Sequence, residues 1–575
     1  MAGFSTLVPA QTKQYVPVTD AMLEKPAAAD WLMLSRTYDE QRFSPLDQIN
    51  KDNVGRLSMV WSRGLPAGIQ QTVPIVYDGV MYVVTPLAGV EALDATTGDL
   101  IWHYQRDTEG KANIGLVIST SAKSLAIYQD MVYYNSPDAY LIALDVKDGS
   151  VRWETKVSPP YERRTGGKHT SAPIVVQGLV ITGRACSDRA HCFIAAHDAL
   201  IGKEVWRFMT AAATGEPGGD TWGDMLDEKR TASPWGLPGS YDPVRKMLYW
   251  AVSNQRPHTR LERHGSADKV SNSAPSELYS NSTIALNAAT GKLSWYYQHL
   301  PGDDWDSDMS HERILLNTAV NPDPAAVKWI NPDIKKGEKR DIMLSVGEPG
   351  GIWALDRENG QFLWAAPFPA DTPDFVLSDI DVKTGKTTIN WGRVLKKPGD
   401  KTRICFYNTK SYWPTAYNPD NNAWYIPMHD YCMEMTASSV KGEDNERKGV
   451  IRPGVDPLKA HALVKVDAST GKVTRLFESG VPGNGAVLAT AGDLVFWGDM
   501  SRKFRAFDAD SGKILWESIL GGMIQMSTIT YSINGKQYVA VMSGDGNSAT
   551  ENPIEMSGIT RPPVGHNEIY VFALP

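Results

Sequence analysis

A spaced triplet of residues recurs along this chain and constrains its fold more than any other feature. It consists of Asp or Asn, Gly four residues later and Trp eight residues later. In each copy a short apolar strand ends at the acidic or amide residue, a tight turn follows, and a second strand begins. Gly supplies the positive φ of the turn, and Trp can pack between neighbouring sheets. The copies are Asp94-Gly98-Trp102, Asp145-Gly149-Trp153, Asp198-Gly202-Trp206, Asn287-Gly291-Trp295, Asp356-Gly360-Trp364, Asp508-Gly512-Trp516 and an incomplete Asp467-Gly471 with Arg475 in the Trp position.

Repeated strand-turn-strand units predict an all-β fold, and a β-propeller in particular. The alternative is a set of β-sandwiches in which the similarity of the turns is a coincidence. The long gap between Asp356 and Asp467 has room for a further blade around residues 424–427, which would make eight blades. We therefore predict an eight-bladed propeller over residues 31–575, preceded by an N-terminal extension over residues 1–30.

The chain ends are expected to meet in the last blade. Residues 57–61 and 569–574 both read as apolar strands, and pairing them would remove a free sheet edge. Each blade would use roughly 72 residues, against the ~40–45 residues of a WD40 blade. The surplus predicts long loops between blades, and loops often carry function.

Charge and composition exclude several classes of partner. The 66 acidic and 58 basic residues give a net charge of −8, which argues against binding nucleic acid or an anionic membrane. No run approaches the ~18 apolar residues of a membrane span, so we expect a soluble chain. Residues 1–10 lack the basic start of an intact signal peptide, as in an exported chain whose signal was removed or replaced. The four Cys form no CxxC, which excludes a zinc ribbon, a thioredoxin-like site and c-type haem.

The repeats resemble the tryptophan-docking motifs of the dehydrogenases that use pyrroloquinoline quinone (PQQ). Residues 43–50, 241–243, 305–308 and 571–575 are also similar to segments of that family, in the same order. The sequence is most similar to the branch of sorbose/sorbosone dehydrogenase and of enzymes that oxidise bulky secondary alcohols such as deoxynivalenol. The resemblance implies PQQ near the propeller axis beside Ca²⁺ or a lanthanide. It also implies alcohol oxidation, a cytochrome c-type acceptor and a periplasmic location.

An acidic segment at residues 302–312 holds the candidate catalytic group. The spacing of Asp304, Asp306 and Asp308 suggests an EF-hand loop, but Met309 and Leu315 stand where that loop needs Gly and Glu. The alternative is that this segment is a solvated acidic turn with no catalytic role. By resemblance, Asp306 is the base that takes the proton of the substrate hydroxyl, a role that suits a carboxylate.

The resemblance also implies a set of metal ligands. Asp306 is one of them, Asp308 matches the extra carboxylate of lanthanide-dependent members, and Asn254 matches the family's Asn ligand. The third usual ligand, a Glu, is replaced by Ser187 or Asp188, depending on one gap. Asp188 is chemically better because a hard cation prefers charged oxygen.

The cofactor pocket is likewise assigned by resemblance. Trp235 matches the indole under the PQQ ring, where a flat aromatic face is a suitable platform. Glu348 occupies the position of the family's basic residue near the quinone, and Arg184 could replace that charge. The other positions that match PQQ-binding residues are Gln71, Lys123, Thr170, Ser411 and Asn484. Polar propeller loops offer many similar side chains, and a structural role is the alternative for each.

The cysteines fit an exported protein. Cys405 and Cys432 match a disulfide pair of relatives, while the vicinal disulfide of many relatives is absent. Cys186 and Cys192 enclose five residues and are close enough to bridge. Two disulfides suit an oxidising periplasm, and four buried thiols in a cytosolic protein are the alternative. The sequence therefore predicts a PQQ-dependent alcohol dehydrogenase, with a non-enzymatic propeller scaffold as the second hypothesis.

Overall fold

A computed structural model describes residues 15–106, 122–158, 171–438, 445–546 and 548–575. Strands dominate this part of the chain. Its α-helices are α1 (Asp20–Glu24), α2 (Arg260–His264) and α3 (Ser548–Ser557). Single 3₁₀ turns lie at Val54–Arg56, Arg189–His191, Gly219–Trp222, Asp227–Lys229, Ala267–Lys269, Trp391–Arg393 and Pro457–Lys459.

The strands are numbered along the chain. The first eighteen are β1 (Phe43–Ser44), β2 (Ser58–Gly64), β3 (Ile75–Tyr77), β4 (Val80–Thr85), β5 (Gly89–Asp94), β6 (Leu100–Gln105), β7 (Ala126–Tyr128), β8 (Met131–Asn135), β9 (Tyr140–Asp145), β10 (Val151–Lys156), β11 (Ile174–Val176), β12 (Leu179–Gly183), β13 (Phe193–Asp198), β14 (Glu204–Met209), β15 (Ser240–Asp242), β16 (Met247–Val252), β17 (Ser282–Asn287) and β18 (Leu293–Gln298). The next twelve are β19 (Ile314–Val320), β20 (Trp329–Ile330), β21 (Glu338–Val346), β22 (Ile352–Asp356), β23 (Phe362–Ala366), β24 (Leu377–Ile380), β25 (Thr387–Ile389), β26 (Lys401–Cys405), β27 (Ala416–Asn418), β28 (Ala423–His429), β29 (Tyr431–Thr436) and β30 (Glu446–Ile451). The last eleven are β31 (His461–Asp467), β32 (Val473–Ser479), β33 (Asn484–Gly485), β34 (Leu488–Thr490), β35 (Leu494–Gly498), β36 (Lys503–Asp508), β37 (Ile514–Ile519), β38 (Gln525–Met526), β39 (Ile529–Ile533), β40 (Lys536–Ser543) and β41 (Glu568–Ala573).

Most strands belong to antiparallel sheets of four strands. These sheets follow one another along the chain. The sheets β3–β6, β7–β10, β11–β14 and β15–β18 are plain meanders. The later sheets carry additions, since β20 pairs with β23 and β1 lies parallel to β34. Successive four-stranded antiparallel sheets are the architecture of a β-propeller, and the predicted all-β propeller class is confirmed.

The two ends of the chain share one sheet. Strand β2 pairs antiparallel with β41, with Ser58 opposite Ala573, and β41 continues to β40 and β39. The predicted pairing of the two terminal strands is confirmed. Both strands of the pair therefore gain a partner that removes a free edge.

The repeated Trp residues join neighbouring sheets. Trp102 of the repeats, and likewise Trp61 of β2, which belongs to no repeat copy, donate the indole N–H to a backbone carbonyl in the turn of the following sheet, at 2.9 and 3.3 Å. Their rings lie against the glycines of those turns, where a Cβ on Gly98 or Gly149 would meet the indole at 2.6 or 2.5 Å. Both glycines also have positive φ. The prediction that the motif Trp packs between sheets is confirmed, and the turn needs Gly for conformation and for space.

The blade predicted around residues 424–427 is wrong as a separate unit. These residues lie in β28, which pairs with β31, and β31 ends at Asp467 of the incomplete repeat. The long gap before Asp467 instead contains the hairpin β24–β25 and the three-stranded sheet β26-β29-β30. The gap was misread because an insertion of strands outside the repeated sheets also gives apolar strand patterns.

Both predicted disulfides are present. Cys186 pairs with Cys192 across a Cα separation of 5.2 Å, and Cys405 pairs with Cys432 across 4.2 Å. The second pair joins directly opposed residues of β26 and β29. No helix in the described ranges is long and apolar enough to cross a membrane.

Residues 15–30 pack on the sheets that follow. The Tyr15 hydroxyl donates to the carbonyl of Gln129 at 2.7 Å, and Val18 forms an antiparallel bridge with the same residue. Helix α1 is capped by the Thr19 side chain. The described part of the segment is therefore attached to the sheet β7–β10.

Candidate functional site

The acidic segment forms a tight loop between β18 and β19. Asp303 is fully buried and accepts the N–H groups of residues 305 and 307 at 3.0 and 2.8 Å. Asp304 accepts the N–H groups of residues 260 and 395 at 2.6 and 3.0 Å. These two carboxylates hold the loop, which leaves Asp306 and Asp308 to serve a site. Asp306 itself has a φ of 63°.

Asp306 is surrounded by nitrogen groups. Its Oδ1 accepts the Asn254 amide at 2.8 Å and lies 2.9 Å from His258 Nδ1. Its Oδ2 lies 2.6 Å from Arg447 Nη1. Burial opposes ionisation, but the charges of His258 and Arg447 outweigh it and hold the pKa of Asp306 below its usual range. Asp306 is therefore ionised at neutral pH, as a proton acceptor must be.

Asp308 lies deeper and has a different environment. Its Oδ2 accepts the indole N–H of Trp235 at 2.8 Å, and its Oδ1 accepts the backbone N–H of Asn254 at 3.3 Å. Burial and the neighbouring Asp306 raise its pKa to about 7. His258 and Arg447 contact Asp306 directly, whereas the charge of Arg256 offsets the rise at Asp308 only in part.

Glu348 joins the same acidic group. Its Oε2 accepts the backbone N–H of Asp308 at 3.3 Å, and its Oε1 accepts the Ser411 hydroxyl at 2.5 Å. Burial and Asp308 raise the pKa of Glu348 well above its ordinary value. Two buried carboxyl groups thus lie beside Asp306 in a place that favours a cation.

A buried lysine lies on the other side of Trp235. Lys123 is 1% exposed, donates to Gln71 Oε1 at 2.7 Å, and lies 4.3 Å from the ring centre of Tyr412. Among the described residues no carboxylate pairs with it, and burial lowers its pKa to about 7. Lys123 is therefore a buried amine whose nearest partner within the described ranges is a neutral amide.

A short hydrogen-bonded chain continues from this lysine. Gln71 donates to the Tyr412 hydroxyl at 2.8 Å, and Tyr412 donates to Gln525 Oε1 at 3.3 Å. The backbone of Gln525 pairs with that of Asn484 in the parallel strands β38 and β33. Three predicted cofactor residues, Gln71, Lys123 and Asn484, therefore belong to one connected region.

Trp235 connects the acidic and the basic sides. Besides its hydrogen bond to Asp308, its ring lies 5.8 Å from Lys123 Nζ and 6.4 Å from the Tyr412 ring. The indole is half-buried. A flat aromatic face between a cation and a group of carboxyls can carry a planar, charged ligand.

Two of the remaining predicted residues, Arg184 and Asp188, lie within the described part of the chain. Arg184 is 1% exposed, with its guanidinium 5.7 Å from the Phe193 ring centre. Asp188 caps the 3₁₀ turn Arg189–His191, accepts His191 Nδ1 at 2.6 Å, and has a 36% exposed side chain. Asp188 would have to release His191 to bind a metal. Thr170 lies outside the described residues.

The donor chemistry fits a hard cation and an anionic planar cofactor. Asp306, Asp308 and Asn254 offer the oxygen atoms that Ca²⁺ and related ions prefer, and within the described residues no ion pair neutralises Asp308 or Glu348. Within the described ranges, no three Asp, Glu, His or Cys side chains are grouped so as to hold a metal alone. A cation here would need further ligands. Lys123 suits an anionic group of such a cofactor.

Sequence reasoning missed four residues of the site: His258, Arg447, Tyr412 and Gln525. His258 follows Asn254 by four residues, so proximity to a predicted ligand was a usable signal. Arg447 lies 141 residues after Asp306, in the inserted sheet, and no motif marks it. It contacts Asp306, whereas Glu348 stands where the resemblance implies a basic residue.

Comparison with known proteins gives consistent matches over most of the chain. The family model described as "PQQ: Glucose/ethanol/alcohol dehydrogenase, beta-propeller domain" matches residues 31–367 and 465–539. Quinohemoprotein alcohol dehydrogenase ADH-IIG of Pseudomonas putida is 30% identical over 90% of this chain and 72% of its own length. Quinoprotein alcohol dehydrogenase PedH of Pseudomonas putida is 29% identical over 88% and 84%. The structure of a europium-containing methanol dehydrogenase superimposes with a TM-score of 0.82 at 27% identity, covering 96% of this chain and 100% of that one.

Proposed function

Because the chain belongs to the PQQ-dependent alcohol dehydrogenase family, we propose that it oxidises a bulky secondary or sugar-type alcohol to the ketone or aldehyde. Its cofactors are PQQ and Ca²⁺ or a lanthanide, and a cytochrome c-type protein is the proposed electron acceptor. Within the family we place it near sorbose/sorbosone and deoxynivalenol dehydrogenases. The observation that carries the proposal is the buried Lys123 over the ring of Trp235, whose indole N–H binds Asp308 of the carboxyl cluster.

The chain's own residues have distinct proposed roles. Asp306 accepts the proton of the substrate hydroxyl, and Asn254, His258 and Arg447 hold its carboxylate in place. The same Asp306 and Asn254, with Asp308 and with Asp188 once it leaves His191, are the proposed metal ligands. When bound, PQQ supplies the two-electron acceptor and the cation supplies Lewis acidity.

The residues proposed to bind PQQ surround the indole face. Trp235 supports the ring system, and Lys123 pairs with a carboxylate while Gln71 orients the lysine. Glu348 and Ser411 form a hydrogen-bonded pair beside Asp308, and we propose that this pair contacts the cofactor. The rest of the proposed set is Thr170, Arg184 and Asn484.

The architecture and location are proposed with the function. We propose that the sheets close into eight blades over residues 31–575, with residues 1–30 as an N-terminal extension. Two disulfides support a periplasmic location, because such bonds persist in oxidising compartments. The scaffold hypothesis is not favoured, since a scaffold has no need of buried, unbalanced charges at one site.

Reconstitution tests the proposal directly. The purified protein is loaded with PQQ and either Ca²⁺ or La³⁺, and dye reduction is followed with a panel of primary, secondary and sugar alcohols. We expect metal-dependent and PQQ-dependent reduction, fastest with secondary or sugar-type alcohols. A protein that binds no PQQ and reduces no dye with any metal and alcohol would contradict the proposal and favour the scaffold.

A further inference from the structure

A groove lies between strand β30 and helix α3, beside the candidate base. Its volume is about 530 Å³. The strand contributes Arg447, Lys448 and Gly449 to its lining, and the helix contributes Asn552, Glu555 and Met556. We refer to it as the β30–α3 groove.

Both walls of the groove are anchored from behind. Strand β30 pairs with β29, which the Cys405–Cys432 disulfide ties to β26. Helix α3 buries Ile554 against Met500 and Met523, while Asn552 and Glu555 are exposed. The groove therefore lies between a strand and a helix that are both fixed by packing and strand pairing.

Gly449 sets how closely the walls approach. A Cβ at this position would lie 2.8 Å from Met556 Sδ and 4.0 Å from Tyr407 Cε1. A larger residue would force Met556 away. The glycine thus leaves an apolar thioether on one wall facing bare backbone on the other, with a polar residue at Asn552.

Arg447 connects this groove to the chemistry. The same side chain lines the groove and contacts Asp306 Oδ2 at 2.6 Å. A molecule whose hydroxyl reaches Asp306 can therefore extend the rest of its body past Arg447 into the groove. A second groove on the same small sheet, lined by Arg393, Lys401 and Glu434, lacks this link, since Arg393 pairs with Asp374 instead.

We propose that the β30–α3 groove is the subsite for the part of the substrate remote from the reacting carbon. Its volume lies in the range of about 300–1,000 Å³ that drug-sized ligands occupy, so a two- or three-carbon alcohol would leave it empty. The groove takes a bulky cyclic secondary alcohol, with ring carbons against Met556 and any ring oxygens toward Asn552. This inference rests on the proposed function and narrows its substrate class.

The experiment fills the groove and compares a large with a small substrate. Met556→Trp and, separately, Asn552→Trp are assayed as holoenzymes with 2-adamantanol and 2-propanol. We expect the ratio of kcat/KM for 2-adamantanol over 2-propanol to fall at least about 10-fold in both variants. Lys401→Trp in the second groove is the matched control, and its ratio should equal that of the wild type.

A binding measurement removes the dependence on turnover. 1-Adamantanol has no hydrogen on its carbinol carbon and cannot be oxidised, so its Kd can be measured by calorimetry on the holoenzyme. We expect each groove variant to weaken its binding at least about 10-fold and Lys401→Trp to leave it unchanged.

The outcomes separate the two proposals. An unchanged substrate ratio and an unchanged Kd in an active enzyme would overturn the groove assignment alone. An equal loss for both alcohols, or a loss seen only with cytochrome c as acceptor, would also overturn it, the latter pointing to an acceptor surface. A wild-type holoenzyme that oxidises no alcohol would overturn the proposed function, and the subsite with it.

Discussion

The two sides of Trp235 use buried charge in opposite ways. On one side Lys123 is buried beside the neutral Gln71 and the ring of Tyr412. On the other side Asp308 and Glu348 are buried together, with Trp235 and Ser411 as hydrogen-bond donors. Burial lowers the pKa of Lys123 to about 7 and raises that of Asp308 to about 7. Neither side is neutralised by its own neighbours.

Asp306 differs from Asp308 and Glu348 because basic side chains contact its carboxylate. His258 and Arg447 contact its carboxylate, so it remains charged without any ligand. The residue proposed to accept a proton is thus kept ionised by the protein, whereas the groups proposed to hold a ligand have no pairing charge of their own within the described residues. The following changes test this division.

Removing the prepared carboxylate should have the largest effect. We expect Asp306→Asn to lower kcat by about 1,000-fold or more, because the amide keeps the shape but cannot take the proton. PQQ binding, followed by quenching of tryptophan fluorescence, should persist. Full activity in this variant would remove Asp306 from the mechanism.

Removing the buried lysine should act on binding. We expect Lys123→Met to weaken PQQ affinity about 30-fold or more, since a buried charge pair with a cofactor carboxylate would be lost. Lys51→Met, at an exposed ion pair with Asp493, is the control and should bind PQQ normally. Equal affinity in both variants would show that Lys123 does not meet the cofactor.

Removing the deeper carboxylate should act on the metal. We expect Asp308→Ala to weaken activation by Ca²⁺ and by La³⁺ about 10-fold or more if the carboxylate binds the ion directly. Ser187→Ala and Asp188→Ala in the same titration distinguish the two candidates for the remaining ligand. Superimposable activation curves for Asp308→Ala and the wild type would exclude Asp308 as a ligand.

The smallest expected effect is the pH dependence of stability without cofactor. Asp308 binds a proton more tightly when folded, so relative to Asp308→Asn the wild type should lose stability as pH rises from about 4 to 7. Lys123 binds its proton less tightly when folded, so relative to Lys123→Met the wild type should gain stability from about pH 7 to 10. Differences of about 1 kcal/mol or more in urea unfolding are expected for each pair. Parallel pH profiles would show that folding does not shift the pKa of either group.

Much of the fold was readable because its determinants are local. The Asp-Gly-Trp spacing identifies a turn and the residue that docks on the next turn, as Trp102 does on Gly149. The extra blade at residues 424–427 was wrong because strand pairing is not local. Strand β28 reads like any apolar strand, and only its pairing with β31 places it in the sheet of the incomplete repeat.

The candidate site divides in the same way. The resemblance to the family identifies five residues of the site from the sequence: Asp306, Asp308, Asn254, Trp235 and Lys123. The structure brings them together around the indole of Trp235. Asp188 was chosen for its charge, yet the structure gives its carboxylate to His191. Arg447 could not be named, because an ion pair across 141 residues leaves no spacing in the chain.

The sequence by itself determined the repeat, its turns and the residue types that the site contains. These follow from backbone preferences and side-chain chemistry, which act over a few residues. Tertiary structure alone decided which carboxylate receives Arg447, which charges stay unbalanced, and where a groove opens beside Asp306. The reason is physical: pKa values and ligand space depend on burial and on distances between remote segments, and these exist only once the sheets have packed.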